Sequence, residues 1–542
     1  MSFFCSIFAR NFEDKRKNID MNKRILVLLF GVLMCRSGLQ AERVMVIADP
    51  HVIPSALLQP GTAAQEMLDA GRKMLDLSES AFLALLDTAA THRPDLLLIP
   101  GDLTKDGEQM SHTWMRNQLT ALEAETGIKT LVIPGNHDIN NPNAYSYNGD
   151  QKTSVASISD ADFDLYYSAQ MGAVRDPESH SYVAEPFPGV TILAIDGTHA
   201  DAGTGWISDN TLSWLLAQAD GAVAKGHLVI AMCHWQLIDH VDQMSEFMAA
   251  TQLKDAATIA EALAQHHVHL VLTGHFHVNG ASTKYFGNDS IVEVTTGSPV
   301  AYPCPYRWLE ISEDRSTVTV ATEDIRSLDT ITDLHAYSRA WQEAHTWTMI
   351  PQMARKAWGK VDSYVAQLKN SSSLTYKTMA MMIEAVLPQT DSARVKIFER
   401  NLGQAVVNMY MLHSDANEPE HPEKDSVKNA VYYGVANMIW EVMGSLPETI
   451  LDPMVELAID MMAVPVESMC EDLTATDDED NPNRTDDLSP VLELNTPWKH
   501  QAVEQVSAEA LHEQAYDLLG RPVNAPTKGQ IIIRGKQKSV IK

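Results

Sequence analysis

The stretch VIPGNHD, Val132–Asp138, sets the end of an apolar strand against a Pro-Gly turn and then presents an amide, an imidazole and a carboxylate in succession. Turn preference alone accounts for Asn, Asp and Gly here. It does not account for the same kind of ending elsewhere. RVMVIADPH closes on Asp49 and His51, LLLIPGD on Asp102, LVIAMCH on His234, and LVLTGHFH on His275 and His277. Five apolar runs therefore each end in side chains that bind divalent cations through oxygen or imidazole nitrogen. In α/β sheets, ligands gather beyond the carboxyl ends of the strands, so the pattern predicts that these groups meet on one rim. A turn or a surface histidine explains any one ending, but not all five together.

Working outward, the chain from Arg43 to about Asp324 alternates β-rich runs (DLLLIP, TLVIP, TILAI, HLVIAM) with runs of helical spacing (AQEMLDAGRKML, TWMRNQLTALEAE, DNTLSWLLAQAD). That alternation predicts an α/β layer architecture. After Gly280 the texture becomes all strand (SIVEVTTGS, RWLEIS, TVTVATED), which predicts a second sheet packed on the first. From Arg326 to Pro465 long helical segments take over, with Met clusters read as filler of an accessory helical core. A cap over the substrate is one role such a unit could play. The expected fold is thus α/β, a two-sheet β-sandwich flanked by helices, plus an α-helical accessory domain. The expected divisions are a leader at 1–41, a catalytic domain at 42–325, a helical domain at 326–470, an acidic linker at 471–488 and a C-terminal region at 489–542.

The 542-residue chain carries a formal charge of −30, which repels nucleic-acid backbones at long range, so no nucleic-acid partner is expected. Five cysteines are too few for a disulfide scaffold, although a Cys304–Cys470 bridge is compatible with an oxidising compartment. MNKRILVLLFGVLMC (Met21–Cys35) has the charge-then-apolar layout of a secretory signal, with Met21 a candidate start and Ala41 a candidate cleavage point. No later run is apolar enough to span a bilayer, and the chain is expected in the periplasm, at the cell surface or secreted. The tail AYDLLGRPVNAPTKGQIIIRGKQKSVIK predicts a small β-hairpin unit. It resembles the C-terminal sorting signals of bacterial type IX secretion, which implies an export machinery as partner.

In order, D-x-H, G-D, G-N-H-D, H and G-H-x-H resemble the signature of the calcineurin-like metallophosphoesterase superfamily, over Arg43 to about Asp324. The resemblance implies a binuclear centre in which Asp49, His51 and His277 hold one metal, Asn136, His234 and His275 the other, and Asp102 bridges them. It implies a small phosphate mono- or diester as substrate, cleaved by a hydroxide shared between the cations. Cyclic-nucleotide-phosphodiesterase-like members are the nearest group, because GDLTKDGE matches their form. CHWQL departs from the His-His-Pro run of many members, and no tyrosine ligand of the purple acid phosphatase kind is supplied. Independently, a carboxylate can span two cations roughly 3.5–4 Å apart, and cations there acidify water. The nitrogen and oxygen donor set, without thiolate, suits two divalent ions of Mn, Fe or Zn. His137 is expected to donate a proton or stabilise charge at the phosphate, with Asp138 orienting that imidazole. His180, His199, Tyr145 and Tyr302 are candidate pocket residues, His269 reads as a surface residue at a strand start, and Cys233 should face away from His234. The rival reading is a surface protein that binds metal or phosphate without catalysis.

Overall fold

A computed structural model of the chain describes residues 41–198, 205–241, 249–416, 421–471 and 487–494, with four short strands between 515 and 540. Residues 1–40, which carry nearly all of the expected leader, lie outside the described residues, as does His199. Along the chain the strands are β1 (Glu42–Val46), β2 (Leu96–Pro100), β3 (Lys129–Ile133), β4 (Tyr145–Asn148), β5 (Gln151–Ser154), β6 (Val174–Arg175), β7 (Tyr182–Phe187) and β8 (Val190–Ile195). They continue as β9 (Leu228–Cys233), β10 (Leu270–Thr273), β11 (Gly280–Phe286), β12 (Asp289–Thr295), β13 (Pro305–Ile311), β14 (Thr317–Asp324) and β15 (Val491–Glu493).

Two mixed sheets carry the molecule. The first runs β15-β14-β13-β1-β2-β3, and the second β11-β12-β10-β9-β8-β7-β6. β1, β2 and β3 are parallel, as are β8, β9, β10 and β12. The expectation that the strands after Gly280 form a sheet of their own needs correcting. β11 and β12 extend the sheet of β10, whereas β13 returns to pair antiparallel with β1, placing Leu309 opposite Val44. A run of strand-like sequence shows that strands exist, not which edge each one joins.

Period-two alternation sorts the strands between two cores. In β9, Leu228, Ile230 and Met232 join the cluster shared by both sheets, and Val229, Ala231 and Cys233 face outward. Helices α1 (Thr62–Asp69), α2 (Ser78–His92), α3 (Gln109–Thr126), α4 (Asp160–Tyr167), α5 (Asp209–Ala224) and α6 (Ala256–Gln265) flank the sandwich. Leu215 and Ala219 of α5, with Ile259 and Leu263 of α6, cover the outward face of β9, Cys233 included.

The helical region comprises α7 (Leu334–Asn370), α8 (Leu374–Val386), α9 (Asp391–Phe398), α10 (Gln404–Asp415), α11 (Lys424–Met443) and α12 (Glu448–Glu471). Its core takes in Met409, Met411, Met443 and Met469, while Met381 of the MAMM run is exposed. The same core reaches the sandwich through Val241, Tyr302 and Phe276. No disulfide joins Cys304 to Cys470, because they are buried in different cores, one in the sandwich and one among the helices.

After α12 the chain comes back. β15 pairs with β14, the Ala281 N–H donates to Asp487 Oδ1 at 2.6 Å, and the Thr322 N–H to the Leu488 carbonyl at 2.9 Å. Residues 488–494 thus extend the first sheet, and Asp487 ties them to β11 of the second. Beyond them, β16 (Ala515–Tyr516), β17 (Pro522–Val523), β18 (Ile531–Arg534) and β19 (Gln537–Val540) form one antiparallel sheet, larger than the expected hairpin. Among the described residues no helix is long and apolar enough to cross a membrane.

Candidate metal centre

The carboxyl ends of β1, β2 and β3 in one sheet meet those of β9 and β10 in the other. The ligand rim is therefore a junction between the two sheets. Past the strand ends the loops keep pairing. The His51 N–H donates to the Asp102 carbonyl at 2.9 Å and the Val52 N–H to that of Leu103 at 3.1 Å. This ties the D-x-H segment to the G-D segment before any side chain takes part.

The backbone is bent unusually hard here. Asp49, His51, Asp102, His275 and His277 have φ of 51°, 44°, 49°, 64° and 60°, a left-handed region that costs a non-glycine residue of order 1–3 kcal/mol. Five such residues in one cluster persist only where their surroundings over-determine them. The neighbouring glycines are equally constrained. A Cβ at Gly135 would overlap Asp102 Oδ1, and one at Gly274 would overlap Asp49 Oδ2. Each of these motif glycines therefore leaves room for a carboxylate presented by another strand end, that of β2 for Gly135 and that of β1, in the opposite sheet, for Gly274.

Two donor groups result. Ligand atoms of Asp49, His51, Asp102 and His277 lie within 4.8 Å of one another, and so do those of Asp102, His234 and His275. Asp102 belongs to both. Its Oδ2 stands 3.5 Å from His51 Nε2 and 3.4 Å from His234 Nε2, and its Oδ1 accepts the His137 N–H at 2.9 Å. Asn136 Oδ1 completes the second group, 3.0 Å from His234 Nε2. Asp49 accepts the His275 N–H at 2.8 Å and faces His277 Nε2 at 3.3 Å. All seven residues expected as ligands are gathered.

The donor chemistry fits cations. His234 Nδ1 lies 3.0 Å from the Pro100 carbonyl, and His275 Nε2 lies 3.0 Å from that of Ala250. Each ring thus spends its N–H on a backbone oxygen and turns its other nitrogen inward, as metal-bound histidines do. The two inward nitrogens then stand 3.1 Å apart, as do His51 Nε2 and His277 Nε2. Nitrogens this close need a positive charge between them, a proton or a metal ion. Burial draws the His234 imidazole down, but Asp102 overrides it and holds the ring up at about 9, whereas burial and His234 hold His275 at about 3. Burial would raise the Asp102 carboxyl, yet His234, His137 and His51 keep it well below the usual carboxylate range. These residues are compatible with a binuclear metal site.

His137 stands beside this set, its ring 4.9 Å from that of His51 and its side chain 28% exposed. The carboxylate behind it is not Asp138. His137 Nδ1 lies 2.8 Å from Asp106 Oδ1, and the other oxygen of Asp106 pairs with Lys105. Asp138 is fully buried and accepts from the backbone N–H groups of Leu103, Thr104 and Gly135 and from the Thr104 hydroxyl, at 2.8–3.0 Å. It staples the G-D loop to the G-N-H-D loop, and burial, with the charge of Asp102 nearby, pushes its carboxyl up to about 7.

The expected pocket residues fare differently. His180 is buried between Asp160 and Asp164 and so anchors α4. Tyr145 lies under Lys152 on the β4–β5 hairpin. The Tyr302 hydroxyl is held by Asp415 and Arg339 at the seat of the helical domain. His269 is buried and bound to the Ser290 carbonyl rather than lying on the surface. Sequence reasoning missed Asp106 and Lys73, whose Nζ lies 3.4 Å from His51 Nε2. Asp106 was visible in GDLTKDGE as a second acid four residues past Asp102. Lys73 carried no signal.

Residues 42–279 match the family described as Calcineurin-like phosphoesterase. A probable cyclic nucleotide phosphodiesterase of Moraxella catarrhalis is 27% identical over 202 residues, 37% of this chain and 64% of that protein. A glycerophosphodiester phosphodiesterase of Enterobacter lignolyticus is 29% identical over 133 residues, 24% of this chain and 39% of that protein. The chain spans less than two thirds of the length of these two relatives. A solved dimetal phosphatase from Danio rerio covers 53% of this chain with 96% of its own, at 13% identity and a TM-score of 0.39.

Proposed function

We propose, from the premise that residues 42–279 form a calcineurin-like phosphoesterase domain, that the chain hydrolyses phosphoesters with two divalent metal ions. The observation that carries this reading is Asp102 Oδ2, one carboxylate oxygen facing imidazole nitrogens of both donor groups. Asp49, His51 and His277 would hold one ion, Asn136, His234 and His275 the other, with Asp102 common to both. When bound, such ions neutralise phosphate oxygens and acidify water.

The chain's own residues do the rest. His137 is outside the donor groups and part-exposed, so it can reach a phosphate bound against them. With Nδ1–H donating to Asp106, the ring carries a proton on Nε2 only as the cation, and Asp106 stabilises that cation. The Nε2 proton passes to the leaving oxygen as its bond to phosphorus breaks. Asp138 keeps the loops bearing Asp102 and His137 in register, and α7–α12 seat Phe276, the residue between His275 and His277.

Diesters of the cyclic-nucleotide kind are the substrate class we favour, on the strength of the relatives' descriptions. Export by the leader and delivery to the periplasm, surface or medium through the type IX-like tail belong to the same proposal. Truncation after Gln514 that leaves surface delivery unchanged would exclude the tail from it.

Turnover of an aryl phosphate diester by the purified protein with added Mn²⁺, lost on chelation and restored by metal, tests the activity. His137→Ala should retain metal and lose turnover by about two to four orders of magnitude, the range of a general acid. Full activity without metal would refute the reading.

A further inference from the structure

Lys73 lies in the turn between α1 and α2, and its ammonium approaches His51 from the side. Nζ is 3.4 Å from Nε2 and 3.5 Å from Nδ1 of that ring. An atom equidistant from both ring nitrogens cannot lie on the lone-pair axis of either. The lysine therefore does not take the place of a cation between His51, His277 and Asp102. It stands next to that place. Among the described residues no carboxylate lies within 4.0 Å of its Nζ, and Asp102, Asp106 and Asp49 act on its charge from farther away.

The turn is fixed at both neighbours of Lys73. The Met74 N–H donates to the Val300 carbonyl at 2.7 Å, and the Arg72 guanidinium sits 5.3 Å from the ring of Tyr410 in α10. An ammonium held this way costs free energy unless an anion meets it. The ligand set makes the need greater. Asp49 and Asp102 bring two negative charges, and two divalent ions bring four positive ones. A lysine beside that excess is repelled until an anionic ligand lies between.

Resting on the phosphoesterase reading, we infer that Lys73 is a phosphate-binding residue that favours a doubly charged phosphate, that of the monoester formed when a cyclic diester is opened or of orthophosphate, over the singly charged phosphate of the diester itself. The Lys73 ammonium donates to a non-bridging oxygen on the His51 side, while His137 faces the leaving group. A dianion places more negative charge on that oxygen, so it gains more from the contact.

Calorimetric titration of the Mn²⁺-loaded protein with orthophosphate and with dimethyl phosphate, at about pH 8 where orthophosphate is doubly charged, measures this preference without turnover. Lys73→Met should weaken orthophosphate binding on the order of ten- to a hundredfold, the strength of a hydrogen bond between charged groups. Dimethyl phosphate should lose far less, Lys73→Arg should restore most of the preference, and metal content should stay at the wild-type level. Equal losses for both anions, no loss, or a fall in metal content would overturn the role of Lys73. A wild type that hydrolyses esters while Lys73→Met leaves the ratio unmoved sinks this inference alone. A wild type that binds metal yet neither binds orthophosphate nor hydrolyses an ester sinks the phosphoesterase reading, and the inference with it.

Discussion

Asp106→Asn would test how the imidazole of His137 is armed. Asp106 serves two donors at once, His137 Nδ1 at 2.8 Å and the Lys105 ammonium. Its Oδ1 also receives the Asn141 amide at 3.3 Å. An asparagine has one acceptor oxygen for these groups. Lys105 can only donate, so the oxygen turns to it and the amide NH₂ turns towards His137. The ring must then accept at Nδ1, which leaves a neutral tautomer with its proton on Nε2, a far weaker acid than the cation. Losing a charge-assisted hydrogen bond is worth about 1.5–3 kcal/mol, or roughly ten- to a hundredfold in rate. The drop in kcat should be large for an alkyl phosphate ester, whose leaving oxygen needs a proton. It should be small for a p-nitrophenyl ester, whose leaving group does not. Metal content should not change, since Asp106 belongs to neither donor group. Equal losses on both esters, or loss of metal, would refute the argument.

Asp102→Ala removes the one carboxylate common to both donor groups, so metal analysis should find both ions lost and activity with them. Gly135→Ala drives a methyl into Asp102 Oδ1, and should cost about 1–3 kcal/mol of stability by overpacking as well as weaken metal binding, read by thermal melting and equilibrium dialysis. Glu293 accepts the backbone N–H groups of Leu237 and Ile238, the Thr273 hydroxyl and His240 while fully buried. Glu293→Ala should therefore destabilise the fold by about 3–5 kcal/mol, the cost of breaking a buried charged network, measured by denaturant titration.

The sequence made the two donor groups legible because their residues cluster at the ends of five apolar strands, a local pattern. What it hid depends on distant partners. Asp138 follows His137 directly, which suggested a carboxylate behind the imidazole, but the sharp turn sends it back to the N–H groups of Leu103 and Thr104. Asp106 reaches His137 across 31 positions, and Lys73 reaches His51 across 22. β12 to β14 were visible as strands, yet their division between two sheets rests on pairings such as Leu309 with Val44 that no local window contains. Cys304 and Cys470 offered a tempting pair until their separate hydrophobic surroundings were seen.

The pairing of Val491–Glu493 with β14 makes the helical region an excursion: the polypeptide leaves one sheet margin after Asp324 and is sewn back onto it from Leu488 onward. During synthesis that margin stays unfinished until about 165 more residues have emerged, the length of a whole domain. Cutting the gene at residue 326 to isolate the sandwich would thus leave β14 bare and prone to pair with other molecules. A faithful half-protein would instead replace α7–α12 with a short bridge and retain 487–494, and its solubility against the simple truncation would show how much the hem matters.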